Sequence, residues 1–315
     1  MPSFLHVIRN TFYIFTKKKL PNLIDILVTA TLSLIMYGVG VSIEASQVVA
    51  ILRKPKPLLV ALFSQMIFLP LTAFAICFTF SLPATIKIGL IILSSAPGGG
   101  TAGFLTYLFR GNTALSVTLT SINSLLTLFS IPIVVNLGLY FFWYETEKFS
   151  LPFQHTFIEI LFVTILPVGL GILTRRYLPA LSLKISRYAR PVLLVMLGIV
   201  FLIKIQGNSS GESGLTLAEL RAILPFALLQ NICCLAIGFF LPRVFKIPLE
   251  DRLTTAIESG VQNTTLAFLI AGLLNNADFA KPALVYAMFS FWTCCIFCLS
   301  VHFYNKRTLR HLWKF

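Results

Sequence analysis

Apolar runs separated by short polar connections dominate the pattern along the chain. They occupy 23–43, 58–80, 86–109, 113–143, 151–173, 189–205, 217–241, 253–274 and 284–303. A run of about 20 apolar residues matches one helix across a bilayer, whereas membrane barrels use short strands of alternating polarity. The pattern therefore predicts an all-α integral membrane protein with about nine transmembrane helices. The run 189–205 is short, and 113–143 is long enough to tilt.

The third and eighth runs are interrupted at their middles. One reads Leu93-Ser-Ser-Ala-Pro-Gly-Gly-Gly-Thr101, the other Glu258-Ser-Gly-Val-Gln-Asn-Thr-Thr265. A break exposed to lipid leaves backbone N–H and C=O groups without partners, at several kcal/mol per group, so such breaks persist only inside protein or beside a watery cavity. Each interrupted run is the second-last of its half, with repeats at 23–143 and 151–303. This is the layout of an inverted repeat of five helices that has lost its first, and a matched pair of breaks points to the binding site of a secondary transporter.

Composition agrees: 57% of the 315 residues are hydrophobic and 11% charged, against about 25% charged in soluble domains, and mean hydropathy is +0.87. The net charge of +14 does not signal nucleic acid, because the basic residues sit in short loops, where they act as topology signals and lipid-headgroup contacts. With alternate loops assigned to opposite sides, Arg53, Lys54, Lys56, Arg110, Arg175, Arg176, Lys184, Arg187, Arg190, Arg243, Lys246, Arg252, Lys306, Arg307, Arg310 and Lys314 share one side. The positive-inside rule places that side, and the C-terminus, in the cytoplasm of a multi-pass protein of the cell (inner) membrane, with the N-terminus outside. Residues 1–22 form an N-terminal tail with an interfacial segment and no cleavable signal peptide; 23–303 form a single transmembrane transporter domain; 304–315 are a basic cytoplasmic tail. Cys77, Cys233, Cys234, Cys294, Cys295 and Cys298 all fall in apolar runs and read as packing residues.

The candidate chemistry lies at the breaks. Pro97 lacks a backbone donor, and Gly98, Gly99 and Gly100 favour non-helical angles. The helix restarting near Thr101 presents free N–H groups that favour an anion. In the other break, Glu258 is a carboxylate near the bilayer centre, a position that marks an ion or proton path. Gly260 permits unwinding and frees neighbouring carbonyls such as those of Ser259 and Val261, while Gln262 and Asn263 add side-chain oxygens. One carboxylate among neutral oxygens suits sodium; a neutral Glu258 suits proton coupling. Gln65 lies amid apolar residues of the second run, and Ser116, Thr120, Asn123 and Thr127 share one helix face. Glu159 is a rival intramembrane carboxylate, without a helix break. No Ser/His/Asp arrangement, phosphate loop or metal-ligand set supports an enzyme, and no cofactor or metal beyond sodium is implied.

Ala96-Pro-Gly-Gly-Gly100, Thr106-Tyr-Leu108, Gly111-Asn-Thr-Ala-Leu-Ser-Val117 and Glu258-x-Gly-x-Gln-Asn263 together resemble the bile acid:sodium symporter family, over about residues 30–303. The resemblance implies a core and a panel domain, two broken helices crossing at the centre, and uptake of organic anions with sodium. It implies one sodium site at Glu258, Gln262, Gln65 and the carbonyls of Ser259 and Val261. A second would use Ser116, Thr120 and the shared Glu258, but the family's Ser-Asn pair is replaced here by Ala102-Gly103, with Asn123 the residue expected to compensate. Thr101, Asn263 and Thr264 are expected to face substrate. The leading expectation is a sodium-coupled symporter of a small organic anion. The alternatives are a proton-coupled or uncoupled organic-anion carrier or exporter, and a membrane sensor without flux. Substrate identity and oligomeric state are not readable from the sequence.

Overall fold

The computed structural model describes residues 23–42, 51, 53, 55–143, 153–182, 185, 214–274 and 276–312. Among them the ordered elements are all helical: α1 (Leu23–Ser42), α2 (Pro55–Thr79), α3 (Ala84–Ser94), α4 (Gly100–Leu108), α5 (Thr113–Phe142), α6 (153–177), α7 (Leu217–Val244), α8 (Leu249–Gly260), α9 (Thr264–Leu273) and α10 (Lys281–Leu312). Five stretches are long and apolar enough to span a bilayer: Pro55–Thr79, Thr113–Phe142, Thr156–Tyr177, Leu217–Val244 and Ala277–Tyr304. The expected run 189–205, the tail 1–22 and residues 313–315 lie outside the described residues. α10 continues through Leu312, past the apolar run that ends at 303.

Local chemistry sets several of these boundaries. Asn112 caps α5 by accepting from the Leu115 N–H at 3.0 Å, and Thr216 and Glu219 form a reciprocal capping box at the start of α7. α2 and α6 each carry a π-helical turn, Ser64–Phe68 and Leu161–Ile165, shortly before Pro70 and Pro167. Proline has no N–H to continue the regular ladder. The widened turn closes one residue earlier, with the Leu69 N–H on the Ser64 carbonyl and the Leu166 N–H on the Leu161 carbonyl.

α3 is the most enclosed helix. Ile88 and Leu90–Leu93 are fully buried, packed among α2, α5, α9 and α10. α8 lies against α7 at backbone distance: a Cβ on Gly238 would come within 2.8 Å of the Ala256 Cα. α1 and α6 form a second close pair, because a Cβ on Gly40 would sit 2.2 Å from the Val168 carbonyl oxygen and one on Gly171 2.4 Å from that of Tyr37. Small residues let helix backbones touch where lipid supplies no hydrophobic drive for association. Large apolar side chains such as Leu59, Phe78, Ile133 and Phe162 face outward, as a lipid-facing surface requires.

Candidate functional site

The interrupted third run becomes α3 and α4, separated by 95–99; the eighth becomes α8 and α9, separated by 261–263. The breaks meet. The Asn263 N–H donates to the Ala96 carbonyl at 2.9 Å, and a Cβ on Gly99 would lie 3.6 Å from the Asn263 Cα. Gly98 has φ +60°, in the left-handed region open to glycine, and a Cβ there would stand 2.6 Å from Glu258 Oε2. Pro97 and the glycines thus let the first break's backbone pass directly over the carboxylate of the second.

Glu258 is fully buried. Ser116 Oγ donates to its Oε1, and Thr120 Oγ1 to its Oε2 at 3.4 Å. One turn along, Asn123 Nδ2 donates to Gln65 Oε1 at 2.6 Å, where the π turn of α2 holds Gln65 inward. The polar stripe on α5 therefore divides. Ser116, Thr120 and Asn123 reach across to Glu258 and Gln65, whereas Thr127 Oγ1 returns to its own helix at the Ser124 carbonyl. Glu159, the rival carboxylate, is only half-buried on α6.

Several buried polar atoms in this region have no hydrogen-bond partner: Ser64 Oγ, Gln65 Nε2, Asn123 Oδ1, Ser259 Oγ and Gln262 Oε1. A buried oxygen without a donor costs about 1–3 kcal/mol, so several of them on α2, α5 and the α8–α9 segment, which meet through the Ser116–Glu258 and Asn123–Gln65 bonds, fit a site that receives a ligand. All but Gln65 Nε2 are oxygens, the donor type preferred by hard cations. Lys281, the one buried lysine among the described residues, is held by Glu219 at 2.5 Å and Asp278 at 2.7 Å.

Residues 29–211 match the family model described as the Sodium Bile acid symporter family. The chain belongs to that family. It is a family of sodium-coupled membrane transporters, not of enzymes. The chain is 30% identical over 272 residues to the uncharacterized sodium-dependent transporter YocS of Bacillus subtilis, covering 84% of this chain and 78% of that protein. It is 27% identical over 280 residues to the ileal sodium/bile acid cotransporter of Oryctolagus cuniculus, covering 85% and 77% respectively. The human P3 protein is 29% identical over 252 residues, covering 78% of this chain but 50% of that protein.

Within this symporter-family chain the expected site residues divide by position. Glu258, Ser259, Gln262, Gln65, Ser116, Thr120 and Asn123 are all buried, on α2, α5, the last turn of α8 and the break that follows it. Val261 is buried too, in an apolar cluster with Ile257 and Leu235. Thr101 and Thr264 are half-buried in the first turns of α4 and α9. Asn263 caps α9, accepting from the Leu266 N–H at 3.0 Å.

Gly260 is the last helical residue of α8, and the chain leaves the helix at Val261. A Cβ on Gly260 would come 2.3 Å from Leu235 Cδ2, so close approach is a second demand on this position. The Ser259 carbonyl loses its ordinary helical donor, since the Asn263 N–H four residues on is spent on Ala96. Position 103 does face the site: a Cβ on Gly103 would lie 3.6 Å from Ser116 Oγ with nothing else within 4 Å, while Ala102 is buried in the apolar cluster.

Two polar groups went unnoticed in the sequence. Asn231, Tyr286 and Thr293 converge on the end of α8. Asn112, Asp251 and Thr254 tie the α4–α5 turn to the start of α8, with Asn112 Nδ2 on Asp251 Oδ1 at 2.8 Å and the Asn112 N–H on Thr254 Oγ1 at 2.8 Å. Asn231, Tyr286, Thr293 and Thr254 showed only as an amide or hydroxyl in an apolar run, and Asn112 and Asp251 only as polar residues in short connections; neither signal names its partner.

Proposed function

We propose that this protein is a sodium-coupled symporter that takes up a small organic anion by alternating access. The carrying observation is the buried Glu258 carboxylate, held among the described residues by two hydroxyl donors, with buried oxygens that lack partners on the segments that meet it. An isolated buried carboxylate is disfavoured by several kcal/mol even after relaxation. A sodium ion relieves that penalty and satisfies the surrounding oxygens at once. Glu258, Gln262, Gln65, Asn123 and the carbonyls of Ser259 and Val261 are the ligand set of this reading, with Ser116 and Thr120 orienting the carboxylate or ligating in turn. The anion sits by Thr101, Asn263 and Thr264, near the first-turn amides of α4 and α9. The close pair α1 and α6 belongs to the panel, against which the crossed breaks move. The basic loops and the C-terminus face the cytoplasm of the cell membrane.

A second reading, proton-coupled or uncoupled carriage, is favoured by Ala102 and Gly103. Neither supplies a side-chain oxygen beside Ser116, so that side of Glu258 has few ligands for a second ion. The discriminating experiment uses purified protein in proteoliposomes and a panel of labelled small carboxylates, with an inward sodium gradient, an inward proton gradient, or neither. Sodium-driven accumulation that Glu258→Ala abolishes is the expected result. Uptake that ignores sodium and follows a pH jump replaces sodium by the proton. Full activity in Glu258→Ala refutes the site.

A further inference from the structure

The end of α8 is held from behind by side chains that have no place in the ion-ligand set. Asn231 Nδ2 donates to the Gly260 carbonyl at 2.8 Å, and Tyr286 Oη donates to the same oxygen at 2.7 Å. Asn231 Nδ2 also lies 2.9 Å from Tyr286 Oη. Thr293 Oγ1 donates to Asn231 Oδ1 at 2.6 Å, which fixes the amide so that its nitrogen faces Gly260. One turn after Asn231 on the same face of α7, Cys234 Sγ receives Gln262 Nε2 at 3.5 Å. Asn231 and Tyr286 are fully buried.

The last carbonyls of a helix have no amide within the helix to accept, and a buried one must find a donor elsewhere. Two donors on the Gly260 oxygen occupy both of its lone pairs, so this carbonyl is withheld from any cation. The carbonyls that stay available to the ion are those of Ser259, whose usual donor is engaged on Ala96, and Val261. The clamp therefore selects which backbone oxygens of the break face the ion. It also sets the plane of the peptide joining Gly260 to Val261, and hence where Gln262 emerges relative to Glu258.

We propose that Asn231 and Tyr286, oriented by Thr293, are positioning residues that set the sodium affinity of the Glu258 site by pinning the Gly260 carbonyl. This rests on the reading of that site as a sodium site. Through the clamp, α7 and α10 act on ion affinity although neither supplies a ligand.

The test titrates sodium chloride, against choline chloride at constant ionic strength, into the purified full-length protein and follows thermal unfolding. Two quantities are read: the midpoint without sodium, which reports folding, and the sodium concentration giving half the maximal stabilisation, which reports affinity. Tyr286→Phe removes one donor, keeps the ring and leaves the Asn231 bond. It is expected to raise the half-saturating sodium about fivefold, the factor that corresponds to one net hydrogen bond. Asn231→Leu combined with Tyr286→Phe removes both donors and is expected to raise it further. Thr293→Val, which only frees the amide to rotate, should move it in the same direction by less. Wild-type protein that responds to sodium, with a Tyr286→Phe variant whose midpoint falls but whose half-saturating sodium stays the same, overturns the positioning role and leaves the ion site intact. Wild-type protein that shows no specific sodium stabilisation overturns the ion site and the clamp with it. Should the double variant fail to fold, Tyr286→Phe decides alone.

Discussion

Two neighbouring glycines in the first break should respond very unequally to the same substitution. Gly98 has φ +60°, and a Cβ there would stand 2.6 Å from Glu258 Oε2. Gly99 has φ −145°, an extended conformation open to any residue, and its Cβ would make only ordinary contact, 3.6 Å from the Asn263 Cα. For Gly98→Ala the backbone term is about 1–2 kcal/mol, present with or without a bound ion, so it lowers stability without changing affinity. The clash is different. Glu258 Oε2 is the far end of a side chain and can withdraw when nothing is bound, but the ion-loaded state needs it in place. Forcing it aside removes its Thr120 interaction and misdirects a charged ligand, each on the scale of a charged hydrogen bond, about 1.5–3 kcal/mol. One such loss falling on the bound state lowers sodium affinity about ten- to a hundredfold. Sodium-dependent thermal stabilisation measures this directly, and sodium-driven uptake at saturating sodium shows whether the loss is overcome by mass action. Gly99→Ala should stay within about twofold of wild type on the same scale. A Gly98→Ala variant with wild-type half-saturating sodium, or equal losses in both variants, would sink the claim that the first break's backbone is fitted to Glu258.

Two further substitutions test the packing around the breaks. Gly260→Ala places a Cβ 2.3 Å from Leu235 Cδ2 and should destabilise the protein by about 1–3 kcal/mol through overpacking; in a double-mutant cycle read by sodium-free thermal unfolding, the same substitution should cost much less in a Leu235→Ala background. If it does not, Gly260 serves backbone freedom rather than close approach. Asn112→Ala loses both the α5 cap and the bond to the Asp251 carboxylate, an expected loss of about 1–3 kcal/mol. In a double-mutant cycle with Asp251→Ala the two losses should be non-additive, and simple additivity would show that the contact carries no energy.

The breaks were legible because they violate the rule of their surroundings: proline, a glycine run and a carboxylate stand out in runs that are otherwise mostly apolar. The four-three-four spacing on α5 was legible for a related reason, since helical geometry alone puts Ser116, Thr120 and Asn123 on one face. Local pattern cannot reveal which polar residue meets which across the bundle. Asn231 and Tyr286 each read as one tolerable polar group in an apolar run, and only the packing of α7 and α10 against α8 brings them to one carbonyl. The close approach at Gly260 was hidden for the same reason. Its neighbour Leu235 lies on another helix, so the sequence showed only the break that follows. The division of the α5 stripe, with Thr127 turned back on its own helix, likewise depends on what faces each turn.

The crossing of the breaks is more than proximity, because each completes the other's chemistry. The Ala96 carbonyl, in the first break, receives the Asn263 N–H and so leaves the Ser259 carbonyl, at the end of α8, without its helical donor. Gly98 closes over Glu258, and Asn263 both meets Gly99 and caps α9. Neither break can shift its backbone without altering hydrogen bonds or contacts in its partner. On the proposed reading the cation lies on one side of this shared backbone and the first-turn amides of α4 and α9 on the other. An ion that orders the Glu258 side therefore orders the amides that would receive an anion, and linkage requires the anion to strengthen ion binding by the same factor. Coupling of this kind needs no relay across the protein, because two unwound segments bonded at Ala96 and Asn263 already form a single element.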